Sequence, residues 1–138
     1  MNLDIGAYRL RLPAVASVPS SSERPAPFRA VPLARLRPFE LSGCILSGKT
    51  LQDWREFVEW TTKNQTQVVA ISVNGIPGLR IPGVEQRLDY AFQAPGEDVL
   101  QLVAWSDSPT NEDQRELLES TIQTLQLRPR RPGIILPE

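Results

Sequence analysis

The sequence predicts an α+β fold in which a mainly antiparallel sheet is flanked by two helices, in the order β-β-β-α-β-β-α. Two segments, residues 50–64 and 110–126, carry apolar residues at helical spacing behind polar capping residues. Segments with alternating apolar and polar residues surround them, as is typical of strands. Most of the thirteen prolines lie outside all these segments. A length of 138 residues suits one domain, which we place at residues 1–127, followed by a Pro/Arg-rich tail at 128–138.

Three strands are predicted before the first helix. Residues 5–12 alternate well, residues 28–36 form a weaker strand interrupted by Pro32, and residues 39–46 form the third. The residues expected on the buried faces of the first and third strands are Tyr8, Leu10, Leu12, Phe39, Leu41 and Ile45. Residues 14–26, between the first two strands, are rich in proline and serine and are expected to form an exposed loop.

The first helix is expected to begin at Thr50, because Thr50 and Asp53 occupy the N-cap and N3 positions of a pattern close to a capping box. It should end near Asn64. The residues expected on its buried face are Leu51, Trp54, Phe57, Val58 and Thr61. The β-branched, apolar run at 67–73 then predicts a buried strand.

Turns follow at residues 75–78 and 81–83, where glycine and proline cluster, with room for a short extra strand around 79–81. Residues 87–93 and 99–105 predict an antiparallel hairpin joined by a reverse turn. Two features support the hairpin: Leu88, Tyr90 and Phe92 share one face of its first strand, and residues 94–97 form the reverse turn.

The last helix, residues 110–126, has Thr110 as its expected cap and acidic residues in its first turn. Acidic side chains there favour the positive end of the helix dipole. The residues of its expected buried stripe are Leu118, Ile122 and Leu125, with Leu117 and Thr121 beside them.

This order resembles the family of PsbP-like and DcrB-like domains, in which an antiparallel sheet is flanked by helices. The resemblance lies in residues 51–73, 78–92 and 100–105 and in the closing helical stretch 117–122, and it spans residues 39–127. Members of this group mostly act as binding or accessory proteins. Some assist photosystem assembly, and some are chaperones for effectors of type VI secretion. The resemblance therefore implies an α/β/α sandwich and a protein-binding role.

Composition argues against several classes of function. The net charge of −1 gives no general attraction to nucleic acid or to anionic membranes. Histidine, the commonest general base and metal ligand, is absent, and Cys44 has no histidine to activate it, which favours a buried hydrophobic role. No apolar run approaches a membrane span, and the N-terminus lacks the pattern of a signal peptide. We expect a cytoplasmic protein that is not an enzyme and uses no cofactor or metal.

One motif predicts a different function. Gly43, Gly48, Lys49 and Thr50 match the two glycines, lysine and threonine of the phosphate-binding P-loop. The run Cys44-Ile45-Leu46 inside the motif is bulky and strand-like, whereas a phosphate-binding loop needs small residues in tight turns. Nucleotide binding is therefore kept as an alternative, together with a small enzyme whose site leaves no local motif.

The expected partner is another protein, with a homodimer as a further alternative. Trp60 lies on the flank of the first helix, and tryptophan is enriched at interfaces. The tail combines a basic cluster with an apolar triplet, which is expected to dock on its own domain or on another chain. The candidate partner-binding residues are Trp60, Arg130, Arg131, Ile134, Ile135 and Leu136.

Overall fold

A computed structural model describes residues 1–18, 30–63, 65, 67–82 and 86–129. It confirms the α+β class, with two helices and a mainly antiparallel sheet. The elements in chain order are β1 (Asn2–Ile5), β2 (Tyr8–Arg11), β3 (Val31–Leu36), β4 (Phe39–Leu46), α1 (Leu51–Thr61), β5 (Val69–Val73), β6 (Ile76–Ile81), β7 (Arg87–Phe92), β8 (Val99–Trp105), α2 (Glu112–Ile122) and β9 (Gln126–Leu127).

The strands form two antiparallel sheets. The large sheet has the order β3-β4-β8-β7-β6-β5, and the small sheet has the order β1-β2-β9. Side chains alternate across the large sheet, so its two faces join two separate apolar clusters. Tyr90, Phe92 and Leu100 belong to the larger cluster, with α2 and the small sheet, whereas Ala91 and Val99 pack with α1 on the other face.

The start of α1 confirms the predicted capping box. The Thr50 hydroxyl accepts a hydrogen bond from Asp53 N at 3.1 Å, and Asp53 Oδ2 accepts one from Thr50 N at 2.9 Å. The helix ends at Thr61, before the predicted Asn64, and Lys63 has a positive φ of 53°. This left-handed residue directs the chain away from the helix axis.

The start of α2 lies one residue later than predicted. Asn111, not Thr110, is the N-cap, and it forms a reciprocal capping box with Gln114. Asparagine is preferred over threonine as an N-cap, and glutamine at N3 completes the box, so the pair at 111 and 114 satisfies two backbone amides at the start of the helix. Leu118 and Ile122 are buried as predicted.

The predicted strand at residues 5–12 is wrong in its extent. The chain instead forms a tight hairpin of β1 and β2, in which Ile5 pairs with Tyr8 and Gly6 has a positive φ of 58°. Glycine adopts that conformation at little cost, and the turn folds Asn2–Ile5 back against Tyr8–Arg11. Tyr8 and Leu10 still face the core as predicted.

The predicted turn at residues 75–78 is also wrong. The reversal lies at Asn74 and Gly75, whose φ values of 51° and 80° are those of a type I′ hairpin turn. Pro77 and Gly78 then belong to the strand β6. The strand β5 is mostly exposed, not buried as predicted, because it lies at the edge of the sheet.

Two predicted segments fall largely on residues that the structure does not describe. Of the loop at 14–26, residues 14–18 are described, and Ser17 pairs with Arg35 through N–H···O bonds of 3.0 and 2.8 Å. Of the tail at 128–138, only 128 and 129 are described, and Arg128 N donates to Ala7 O at 2.8 Å.

Candidate protein-binding surface

The outer side of α1 carries two exposed aromatic side chains. Trp60 is 77% exposed and Phe57 is 60% exposed. Their ring centroids are 6.4 Å apart, with the ring planes inclined by 43°. We call this pair the α1 ridge.

The ridge has this position because of the helical register. Trp54 and Val58 face the sheet, where they pack with Leu79, Ala91 and Val99. At about 100° per residue, Phe57 lies roughly 100° around the helix from Val58, and Trp60 lies farther still. The predicted burial of Phe57 and Thr61 is therefore wrong, since the face that contacts the sheet is narrower than the stripe we assigned.

A groove of about 510 Å³ runs along the base of the ridge, between α1 and the strands β4 and β8. Its floor and walls are formed by Ala30, Cys44, Leu46, Lys49, Asp53, Trp54, Glu56, Phe57 and Gln101. Among the described residues, α1 packs mainly on β6 and β7, and the part of the same sheet face toward β4 lies open beside it. A second depression, lined by Glu59, Trp60, Thr61 and Lys63, adjoins the other side of the ridge.

The rim of the groove has more acidic than basic side chains. Asp53 and Glu56 line it together with Lys49. The pKa of the Asp53 carboxyl is held below its usual value, chiefly by the hydrogen bond from the Thr50 backbone amide and next by the hydrogen bond with the Thr50 side chain. Asp53 is therefore a fixed negative charge at neutral pH.

The segment that matches the P-loop motif is strand and turn. Gly43 pairs with Val31 of β3 and with Leu102 of β8, and the strand continues in register through Leu46. A Cβ atom at Gly43 would lie 2.5 Å from the Leu33 side chain, so this glycine permits close packing between strands. A phosphate-binding loop cannot form where the backbone is extended and paired.

The amides at the start of α1 already have partners within the protein. Gly48 N donates to Asp98 Oδ1 at 3.2 Å, Thr50 N donates to Asp53, and Leu51 N donates to Gln93 Oε1 at 3.2 Å. A bound phosphate would have to displace these groups, one of which is a carboxylate. The geometry argues against the nucleotide-binding alternative.

We therefore expect no binding of ATP or GTP in the presence of magnesium, measured by calorimetric titration, and no difference between the wild type and Lys49→Ala. The physical reason is that Lys49 follows a paired strand and not a cradle of free amides. Micromolar affinity that disappears in Lys49→Ala would contradict this expectation.

The remaining candidate partner-binding residues, Arg130, Arg131, Ile134, Ile135 and Leu136, lie outside the described residues. Arg128 begins the basic cluster, and its guanidinium donates to Gly6 O at 3.0 Å and lies 3.5 Å from Asp4 Oδ2. The start of the tail is thus attached to the β1–β2 hairpin.

Neither a protein-family model nor a curated protein matches this chain. The resemblance to PsbP-like and DcrB-like domains stays a prediction. Within the part of the chain that the structure describes, no helix has the length and apolar character needed to cross a membrane. The same residues contain no group of three or more acidic or cysteine side chains placed to hold a metal ion.

Proposed function

We propose that this chain is a non-enzymatic protein-binding or accessory domain, of the kind that helps a larger complex assemble, and that it holds its partner at the α1 ridge. The observation that carries the proposal is the exposure of two adjacent large aromatic side chains, Phe57 and Trp60, beside a groove. The accessory role that the resemblance to PsbP-like and DcrB-like domains implies agrees with it.

Aromatic residues in such positions supply much of the energy of protein–protein contacts. Tryptophan is among the residues most enriched at interface positions whose truncation strongly weakens binding. Full burial of a large apolar side chain contributes about 1.5–3 kcal/mol, before the cost of ordering the partner. A partner that covers both rings therefore gains a useful part of its affinity from the α1 ridge.

The groove defines the chemistry of the partner segment. Leu46, Cys44 and Trp54 offer an apolar floor, and Asp53 and Glu56 add negative charge at the rim. A segment of another protein that presents apolar side chains next to a basic residue satisfies both features. This is the occupant that we propose.

The test begins with affinity capture of binding proteins from extracts of the native host, using the wild type and the variants Phe57→Ser and Trp60→Ser. A protein retained by the wild type is then purified and titrated calorimetrically against the same three chains. We expect each substitution to weaken binding by about ten-fold or more, because each removes an aromatic contact worth at least 1.4 kcal/mol.

Trp105→Ser is the matched control. Trp105 is also an exposed tryptophan, but it lies at the end of β8 that is remote from Val99, the β8 residue packed beneath α1. It should leave the affinity unchanged. Equal affinity of Phe57→Ser, Trp60→Ser and the wild type would refute binding at the α1 ridge, as would a loss confined to Trp105→Ser.

A further inference from the structure

The two edges of the large sheet differ in how they are protected. The edge strand β3 contains Pro32, shifts register between Pro32 and Ala34, and has Ser17 bonded to Arg35 along its outer side. Proline, register irregularities and covering segments are common devices that prevent one sheet edge from pairing with another. In the described part of the chain, the opposite edge strand, β5, has one neighbour, β6.

Among the residues that the structure describes, none of these protective features is found at β5. Its sequence, Val-Ala-Ile-Ser-Val, has no proline and no charge, and no charged residue occurs between Lys63 and Arg80. Its register with β6 is regular from Val69 to Val73. Val69 is 37% exposed, and Ala70 and Ser72 are exposed as well. A regular, uncharged edge of this kind is a template for a further strand.

The turn geometry shows which backbone groups face outward. In a two-residue hairpin the residues that flank the turn, here Val73 and Ile76, form a hydrogen-bonded pair, and the pairs alternate from there. Ser72 and Ala70 therefore belong to non-hydrogen-bonded pairs, so their N–H and C=O groups point away from β6. The Pro77 carbonyl, opposite Ser72, accepts from Gln93 N at 3.0 Å on the β7 side, as this alternation requires.

We propose that β5 is a homodimerisation edge, at which β5 of a second copy of this chain pairs antiparallel about a two-fold axis through Ile71. In that register Ala70 lies opposite Ser72 of the second copy, and Ser72 lies opposite Ala70 of the second copy. All the outward N–H and C=O groups of these two residues then form four hydrogen bonds across the axis.

A second copy fits this edge because the strand is compatible with itself. In a two-fold dimer the same strand is present on both sides of the axis. A charged side chain on β5 would therefore lie near the identical charge of the second copy. The absence of charge removes that repulsion. Val69 would lie opposite Val73 of the second copy on the apolar face of the sheet, which continues the core across the dimer.

The proposal does not rest on the partner at the α1 ridge, because its evidence is confined to β5, and β7 and β6 separate this edge from β8 and β4, which border the groove. Pairing of two five-residue strands is small among protein interfaces. The dimer should therefore be a concentration-dependent equilibrium.

Sedimentation equilibrium of the full chain over a series of concentrations tests the proposal. The wild type should show a reversible monomer–dimer equilibrium. Ser72→Pro removes an outward N–H without removing a β5–β6 hydrogen bond. Because both copies carry the substitution, the dimer loses two hydrogen bonds. We expect the dimer to dissociate about ten-fold more readily or more. Ala70→Lys places like charges near the axis and should have a similar effect, whereas Ser120→Lys, which adds the same charge at an exposed position on α2, should have none.

A mixing experiment tests the register. The variant Ala70→Lys is mixed with the variant Ser72→Asp, so that a heterodimer has opposite charges directly across the axis. The mixture should form this heterodimer more readily than either variant dimerises alone. Circular dichroism confirms the fold of each variant, and if Ser72→Pro fails to fold, Ala70→Lys and the mixture decide. A wild type that is monomeric at every concentration, or a dimer that Ala70→Lys and the mixture leave unchanged, would overturn the proposal.

Discussion

Leu118→Ala should lower the free energy of unfolding by about 2–5 kcal/mol, the range measured when a buried leucine is truncated. Leu118 is fully buried in the larger cluster, which also contains Ile122 of α2 and Leu100 and Leu102 of β8. The substitution removes three carbon atoms, so the protein loses the favourable free energy of burying them and is left with a cavity between the helix and the sheet. Urea denaturation followed by circular dichroism measures the change. Ile122→Ala should have an effect of similar size.

Glu116→Ala is the control for this experiment. Glu116 is exposed on the same helix, so its substitution should change stability by less than about 0.5 kcal/mol. An unchanged denaturation midpoint for both Leu118→Ala and Ile122→Ala would mean that α2 does not cover the sheet as described.

Gly78→Ala should destabilise the protein by about 1–3 kcal/mol, because the added methyl group overpacks the core. A Cβ atom at Gly78 would lie 2.5 and 2.8 Å from two ring atoms of Phe92 and 2.9 Å from Ala91 O. Phe92 is fully buried and stacked on Tyr90 at 6.0 Å, so its ring has little room to retreat. Reduced backbone freedom in the unfolded chain offsets only about 0.4–1 kcal/mol of the loss.

Gly43→Ala provides a comparison within the same sheet. Its Cβ would meet the end of the Leu33 side chain at 2.5 Å, whereas its nearest backbone atom, Gln101 O, is 3.4 Å away. A leucine terminus can rotate away more readily than a buried ring or a carbonyl. We expect Gly43→Ala to be the milder of the two in thermal and urea denaturation. A Gly78→Ala variant as stable as the wild type would show that β6 and β7 separate easily.

The elements that the sequence predicted well have strong local signals. The capping residues Thr50 and Asp53 fix the start of α1 through hydrogen bonds between residues three apart. The turn at 94–97 is closed by Glu97 N donating to Ala94 O at 3.0 Å, and Gly96 has the positive φ that it requires. Such interactions depend on near neighbours, so the sequence contains them.

The misplaced turn shows the limit of this reasoning. Glycine and proline favoured a turn at 75–78, although Asn74-Gly75 is itself the strongest short signal for a hairpin. Gly78 is required in β6 for a different reason, since Phe92 of the neighbouring strand occupies the space of its side chain. A contact between residues fourteen apart in sequence is not visible in local composition.

The sequence pointed to one of the two residues of the α1 ridge as a contact candidate. Trp60 was expected at a contact surface, and it is exposed, while Phe57, which forms the ridge with it, was expected in the core. The helical wheel places Phe57 at the margin of the apolar stripe, and this position was the one sign in the sequence that Phe57 faces solvent. Whether a marginal residue is buried depends on the width of the sheet surface beneath the helix, and α1 packs mainly on β6 and β7.

The sequence by itself determined the fold class, the two helices, the buried stripe of α2, the strand β4 and the hairpin of β7 and β8, because periodicity, caps and turn residues act over a few positions. Only the tertiary structure decided that Gly43 lies in a paired strand, that β5 is an edge and that Phe57 faces solvent. Each of these depends on which distant segment packs alongside. The same apolar run, Val69–Val73, would be buried in a central strand and is exposed at an edge, and strand order is a property of the whole chain.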